Sequence, residues 1–77
     1  MKNTIFTTEH IELVRKLNVA RHDAGLTQKD VSIQLKTTQS YISKIESGQV
    51  KIDFITLQKL ADIYKKNIKY FTKNFGE

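Results

Sequence analysis

The stretch GLTQKDVSIQLKTTQSYISKIESGQ, Gly25 to Gln49, decides the fold, because it punctuates itself twice within a few helical turns. Gly25 stops whatever precedes it, and Thr27 with Asp30 has the spacing of a capping box, although Glu or Gln is commoner than Asp at that place. A short helix therefore runs from Thr27 through Leu35. Lys36-Thr37-Thr38 is too short to be anything but a tight turn, and Thr38 caps another short helix from Gln39 to about Ser47, stopped by Gly48. The centre of the chain reads as two short helices joined by three residues.

Working outward, the segment before Gly25 starts a helix after Thr7 or Thr8, with Glu9 and Glu12 in a favourable first turn and Phe6 placed to staple against Ile11. Ile11, Val14, Leu17 and Ala24 mark the expected buried face of this first helix. On the other side, the loop Gln49-Val50-Lys51-Ile52 leads to Asp53. That residue caps a fourth helix with Phe54, Leu57, Leu60, Ala61 and Tyr64 or Ile63 at helical spacing. Asn67 restarts a fifth, short helix carrying Ile68, Tyr70, Phe71 and Phe75. The expectation is an all-α, compact five-helix domain over residues 1–77. Residues 1–7 form an N-terminal arm, 27–47 the central helix pair, and 67–77 a short last helix and tail.

A chain of 77 residues makes one domain with one modest core. It has no Cys and only two His, His10 and His22, lone residues on the first helix, so neither a disulfide nor a metal is available to staple it. Nucleophile–base pairs, a carboxylate pair in a cleft and metal ligands are all missing, so an enzyme is not expected, nor any cofactor. The first residues contain no apolar signal-like run and nothing near the ~20 residues that span a bilayer. No membrane partner is expected, and the cytoplasm is the default address. Thirteen Lys and Arg against eight Asp and Glu give +5, which favours polyanionic partners but also describes many surfaces that bind none.

Placement of the polar residues carries more. At about 100° per residue, Gln39, Ser40, Ser43, Lys44 and Ser47 share one arc of about 140° on the third helix, with Tyr41, Ile42 and Ile45 opposite. That polar face suits base edges: Gln pairs bidentately with adenine, Lys donates to guanine, and Ser permits close approach. An ordinary solvated face has a similar composition. Arg21 poses a separate question, since its spacing from Ile11, Val14 and Leu17 sets its charge on or beside the buried stripe, where it needs a partner. A helix-dipole contact at the C-terminal end of the first helix is the simpler alternative.

The run from Gly25 to Gln49 resembles the helix-turn-helix of the Cro and phage-repressor, or xenobiotic-response-element, family. The resemblance rests on Leu26-Thr27-Gln28, Val31, Leu35 and Gln39-Ser40-Tyr41-Ile42-Ser43-Lys44-Ile45-Glu46 followed by Gly48. The first helix and Thr56-Leu57-Gln58-Lys59-Leu60-Ala61 extend it to roughly residues 9 to 72. It implies a lambda-repressor-like fold and sequence-specific binding of double-stranded DNA, with the protein a transcriptional repressor acting as a homodimer on a palindromic operator. Thr38, Gln39, Ser40 and Lys44 then face bases, joined by Ser43 from the polar arc. Thr27, Gln28 and Tyr41 lie near phosphates, and Gln49 and Lys51 grip the backbone. Thr27 and Thr38 are also explained as N-caps, and Tyr41 as a residue bordering the core. Glu46 matches the family's partner for Arg21, which implies an internal ion pair.

Three residues depart from the family pattern. Lys36 stands where Gly is common in the turn, Ser32 replaces a common Ala, and Ile33 is apolar where a charge is usual. Ile68, Phe71 and Phe75 recur at i, i+3 and i+7 and are expected to form a two-fold dimer interface, the alternative being that they fold back to complete the monomer core. The competing function is an antitoxin-like or other protein-binding module built on the same scaffold.

Overall fold

The structure, a computed structural model, describes residues 7–72. The order is α1 (Thr8–Asp23), α2 (Gln28–Leu35), α3 (Gln39–Glu46), α4 (Phe54–Tyr64) and α5 (Ile68–Thr72), and the described residues contain no strand. This is the all-α, five-helix order that the sequence leads one to expect. Helix starts are fixed locally. The hydroxyls of Thr7, Thr27 and Thr38 accept from the backbone N–H groups of His10, Asp30 and Tyr41 at 3.1, 3.0 and 3.1 Å, and Asp53 accepts from Thr56 at 2.7 Å. Thr27 and Asp30 close a full capping box, the Asp30 carboxylate taking the Thr27 N–H at 2.9 Å. These backbone bonds hold the Asp30 and Asp53 carboxyls below the usual aspartate range, since they favour the ionised form.

The stops are equally local. Gly25 and Gly48 turn the chain with φ of 72° and 80°, which glycine adopts without a Cβ penalty. Lys36 and Lys65 do the same work at φ of 64° and 58°, a conformation that costs a non-glycine residue roughly 1 kcal/mol or more. Lys36 makes the tight turn between α2 and α3, where the family's glycine is missing.

Helix α1 packs against α3, α4 and α5, while α2 packs against α3 and α4. The largest fully buried side chains, Leu17, Val31, Ile42, Leu60 and Phe71, come one from each helix, so every element depends on the shared core. Two expected faces need correction. On α1 the buried stripe is Leu13, Lys16, Leu17 and Ala20, whereas Ile11 is 56% exposed and Ala24 is the exposed cap. The buried set keeps the i, i+3, i+4, i+7 spacing of a helix and simply includes a lysine. On α4, Phe54 is 65% exposed at the first helical position, while Leu57, Leu60, Ala61 and Tyr64 face inward.

Lys16 is 6% exposed, and its ammonium has no hydrogen-bond partner among the described residues, with the Tyr70 ring 5.9 Å away. A cation held out of water without a partner costs stability, and a ring face at that range offsets little of it. Lys16→Met keeps the stem and removes the charge. It is expected to raise the urea unfolding free energy by about 1–3 kcal/mol. A variant less stable than the parent would show that the ammonium is satisfied.

Candidate nucleic-acid interface

Helix α3 has one buried face and one bare face because its apolar residues fall three apart. Ile42 and Ile45 are 1% and 2% exposed, whereas Thr38, Gln39, Ser40, Ser43, Lys44 and Ser47 are all exposed. Tyr41 is half-buried and packs against the core from the edge of the helix. The structure therefore brings together Thr38, Gln39, Ser40, Ser43 and Lys44 on one accessible surface, none of them holding another in a side-chain hydrogen bond. Among them only Thr38 is engaged, by its cap to Tyr41, so the other four are free to meet a ligand.

Two other segments carry the remaining site residues. Thr27 sits exposed at the N-terminus of α2, and Gln28 is half-buried beside it. In the loop after α3, Gln49 donates from Nε2 to the Ser47 hydroxyl at 2.7 Å, and its backbone N–H bonds Lys44 O at 2.9 Å. Lys51 is exposed in the same loop.

Behind α3 lies a polar cluster that ties it to α1 and α2. Arg21 donates from Nε to Glu46 Oε2 at 2.7 Å and from Nη2 to Oε1 at 3.1 Å, a bidentate pair with side chains 11% and 5% exposed. The third nitrogen of Arg21 bonds Leu26 O at 2.9 Å, and Gln28 Nε2 donates to Glu46 Oε1 at 3.0 Å. One carboxylate at the end of α3 thus gathers α1, the α1–α2 turn and the start of α2. Burial pushes the neighbouring Tyr64 hydroxyl well above the usual phenol range, and the Glu46 charge adds to that by disfavouring a second anion, with Arg21 opposing.

Two α1 residues escaped the sequence reading. Asn18 donates from Nδ2 to Glu46 O at 3.3 Å, and His10 bonds Gly48 O through Nε2 at 3.3 Å. In the sequence His10 stands as a lone residue on the first helix, with nothing nearby to mark a partner. The one available signal was that Asn18 stands three residues before Arg21, on the same face of α1.

The last expected site residues lie elsewhere. Phe71 is 1% exposed, stacked edge to face on Tyr70 at 4.9 Å, and Ile68 is half-buried against the same core. The Phe71 surface expected to face a second copy is consumed inside the monomer, where α5 packs against α1 and α4 and Phe71 completes the small shared core. Phe75 lies outside the described residues.

A family model described as helix-turn-helix matches residues 13–71, from the second turn of α1 through Phe71. No curated protein matches the sequence. Among the described residues no helix is long and apolar enough to cross a membrane.

Proposed function

The chain belongs to the Cro/C1-type, phage-repressor-like helix-turn-helix family of DNA-binding domains, and on that premise we propose that it is a cytoplasmic transcriptional repressor acting as a homodimer on a palindromic operator. The observation that carries the reading is the bare face of α3: five polar side chains with an amide, hydroxyls and an ammonium, on a helix whose other face is locked in the core. Gln39 and Ser40, at the N-terminal end, reach base edges, with Ser43 and Lys44 following one turn on. Thr38 adds its exposed methyl and hydroxyl.

Phosphates are met from the flanks. Thr27 and Gln28 present the start of α2, where free backbone N–H groups favour an anion. Gln28 Nε2 carries two protons and gives one to Glu46, leaving the other for a phosphate oxygen. Tyr41 offers its hydroxyl from the edge of α3, and Gln49 and Lys51 approach the backbone from the loop. With Lys44 the one cation on the bare face of α3, much of the electrostatic affinity falls to that loop.

Dimerisation follows from the demand for specificity, since one short helix reads too few base pairs to single out a site in a genome. The apolar surface for it is Phe54 and Ile55, 65% and 67% exposed at the start of α4, beginning three residues beyond the DNA-gripping Lys51. That position suits two copies meeting between half-sites one helical turn, or ~34–36 Å, apart.

Selection of bound duplexes from a random DNA pool at several salt concentrations tests the reading as a whole, through enrichment and half-site symmetry. Within the selected site, Gln39→Ala is expected to lose ~1–3 kcal/mol and relax specificity at one position. Lys51→Ala should weaken all sequences alike and lower the salt slope by about 1. Equal losses on selected and random DNA for Gln39→Ala would remove it from base recognition.

A further inference from the structure

The last four carbonyls of a helix have no partner within it, so the end of α3 can be audited group by group. Ser43 O takes the Ser47 N–H at 3.0 Å, Lys44 O the Gln49 N–H at 2.9 Å, and Ile45 O the Gly48 N–H at 3.1 Å. These bonds come from the chain's own turn at Gly48. Glu46 O is the carbonyl that the turn leaves over, and Asn18 Nδ2 supplies its donor from α1 at 3.3 Å while also bonding Val14 O at 3.0 Å. Two residues on, Gly48 O meets His10 Nε2, which donates because a carbonyl only accepts.

Glu46 is therefore held at both ends. Its carboxylate fixes the side chain to Arg21 and Gln28, but a side chain has rotatable bonds, and a carboxylate anchor alone lets the helix backbone rock about them. The Asn18 bond acts on the backbone itself. With Arg21 one turn further along α1, it fixes a second point and so the axial height and roll of α3 against α1.

We propose that Asn18 is a positioning residue for base recognition, with His10 as the second anchor for the loop that carries Gln49 and Lys51. The proposal rests on the DNA-binding reading above. Neither residue lies on the bare face of α3, so neither touches a base; Asn18 acts by holding Gln39 and Ser40 in register with base edges. Base readout depends on hydrogen bonds with narrow geometric tolerance, whereas attraction to phosphates tolerates small displacements. The signature of a loosened α3 is a loss of selectivity rather than a loss of binding.

The test compares parent and Asn18→Ala on two duplexes of equal length, the sequence the parent selects from a random pool and a scrambled one. Alanine is the better helix former, so α1 itself is not weakened at that position. Circular dichroism establishes that the variant is folded at the assay temperature; if it is not, Asn18→Ser, too short to span to Glu46 O, is read in the same way. Affinity for the selected duplex is expected to fall roughly five- to tenfold, the equivalent of one net hydrogen bond. Affinity for the scrambled duplex stays within about twofold and the salt slope is unchanged, because no phosphate contact is lost. A parent that selects no duplex overturns the DNA-binding reading and this inference with it. A parent that selects one, with Asn18→Ala unchanged on it or weakened equally on both, overturns the positioning role alone.

Discussion

Glu46→Ala is expected to lower the unfolding free energy by ~3–5 kcal/mol, the range for removing one partner of a buried ion pair. Arg21 is only 11% exposed, so its guanidinium stays out of water after losing both bonds to α3, with Leu26 O at 2.9 Å and His22 Nε2 at 3.3 Å as the partners left to it. Gln28 loses its acceptor at the same time. Such a loss is a large share of the ~5–15 kcal/mol that holds a natural domain together. The penalty belongs to the stranded charge more than to the missing attraction, which separates it from a helix-dipole contact worth ~0.3–1 kcal/mol. Removing both charges is the control. Arg21→Met with Glu46→Leu is expected to recover most of the stability, since apolar residues of similar volume often replace a buried pair at little cost. Urea melts of the parent, the single variant and the double variant decide the matter. A Glu46→Ala melt that overlays the parent, or a double variant no better than the single, would show that Arg21 is solvated in practice.

What was legible in the sequence was whatever a few neighbouring residues determine. Thr7, Thr27 with Asp30, Thr38 and Asp53 announce helix starts through their own hydrogen bonds, and Gly25 and Gly48 announce stops through backbone conformation. Four helices in order follow from those marks, and Asn67, whose Oδ1 accepts from the Lys69 N–H at 2.8 Å, starts the fifth. The Lys65 turn was missed because a lysine carries no signal for positive φ; the lysine is held there by the bond from Lys66 N to Ala61 O that closes α4. The α1 stripe was rotated because Lys16 reads as a solvent residue, and an apolar pattern drawn to avoid it selects Ile11 and Val14 instead of Leu13 and Ala20. Phe54 was placed inside because its spacing to Leu57 is helical, but the first residue of a helix can lie beyond the edge of what the helix covers. Asn18 and His10 were illegible for a deeper reason. They bond to backbone carbonyls of another element, which have no residue identity and leave no pattern along the chain.

Phe71→Ala is expected to cost ~3–5 kcal/mol, and the cost should be the same at every protein concentration. The sequence placed Phe71 on a stripe with Ile68 and Phe75, and the period of that stripe is compatible with two destinations, a partner or the monomer core. Burial separates them. At 1% exposure Phe71 is among the largest fully buried side chains, on a five-residue helix that packs against both α1 and α4. A helix that short has little stability of its own and is held in place chiefly by what it buries. Truncating the ring leaves a cavity in the core where α5 packs on α1 and α4, and loosens α5 together with the Tyr70 ring that lies beside Lys16. If Phe71 instead joined two copies, the unfolding midpoint of the parent would rise with concentration by mass action, and the cost of truncation would vanish on dilution. Urea melts across a hundredfold range of concentration therefore discriminate the two. The contrast is with Phe54→Ser and Ile55→Ser: side chains exposed by about two thirds support little of the monomer, so their removal should shift its stability by no more than ~0.5 kcal/mol. Their effect should appear only in the cooperativity of binding to a palindromic duplex. A concentration-dependent midpoint for the parent, lost in Phe71→Ala, would return the last helix to the interface and take Phe54 and Ile55 out of it.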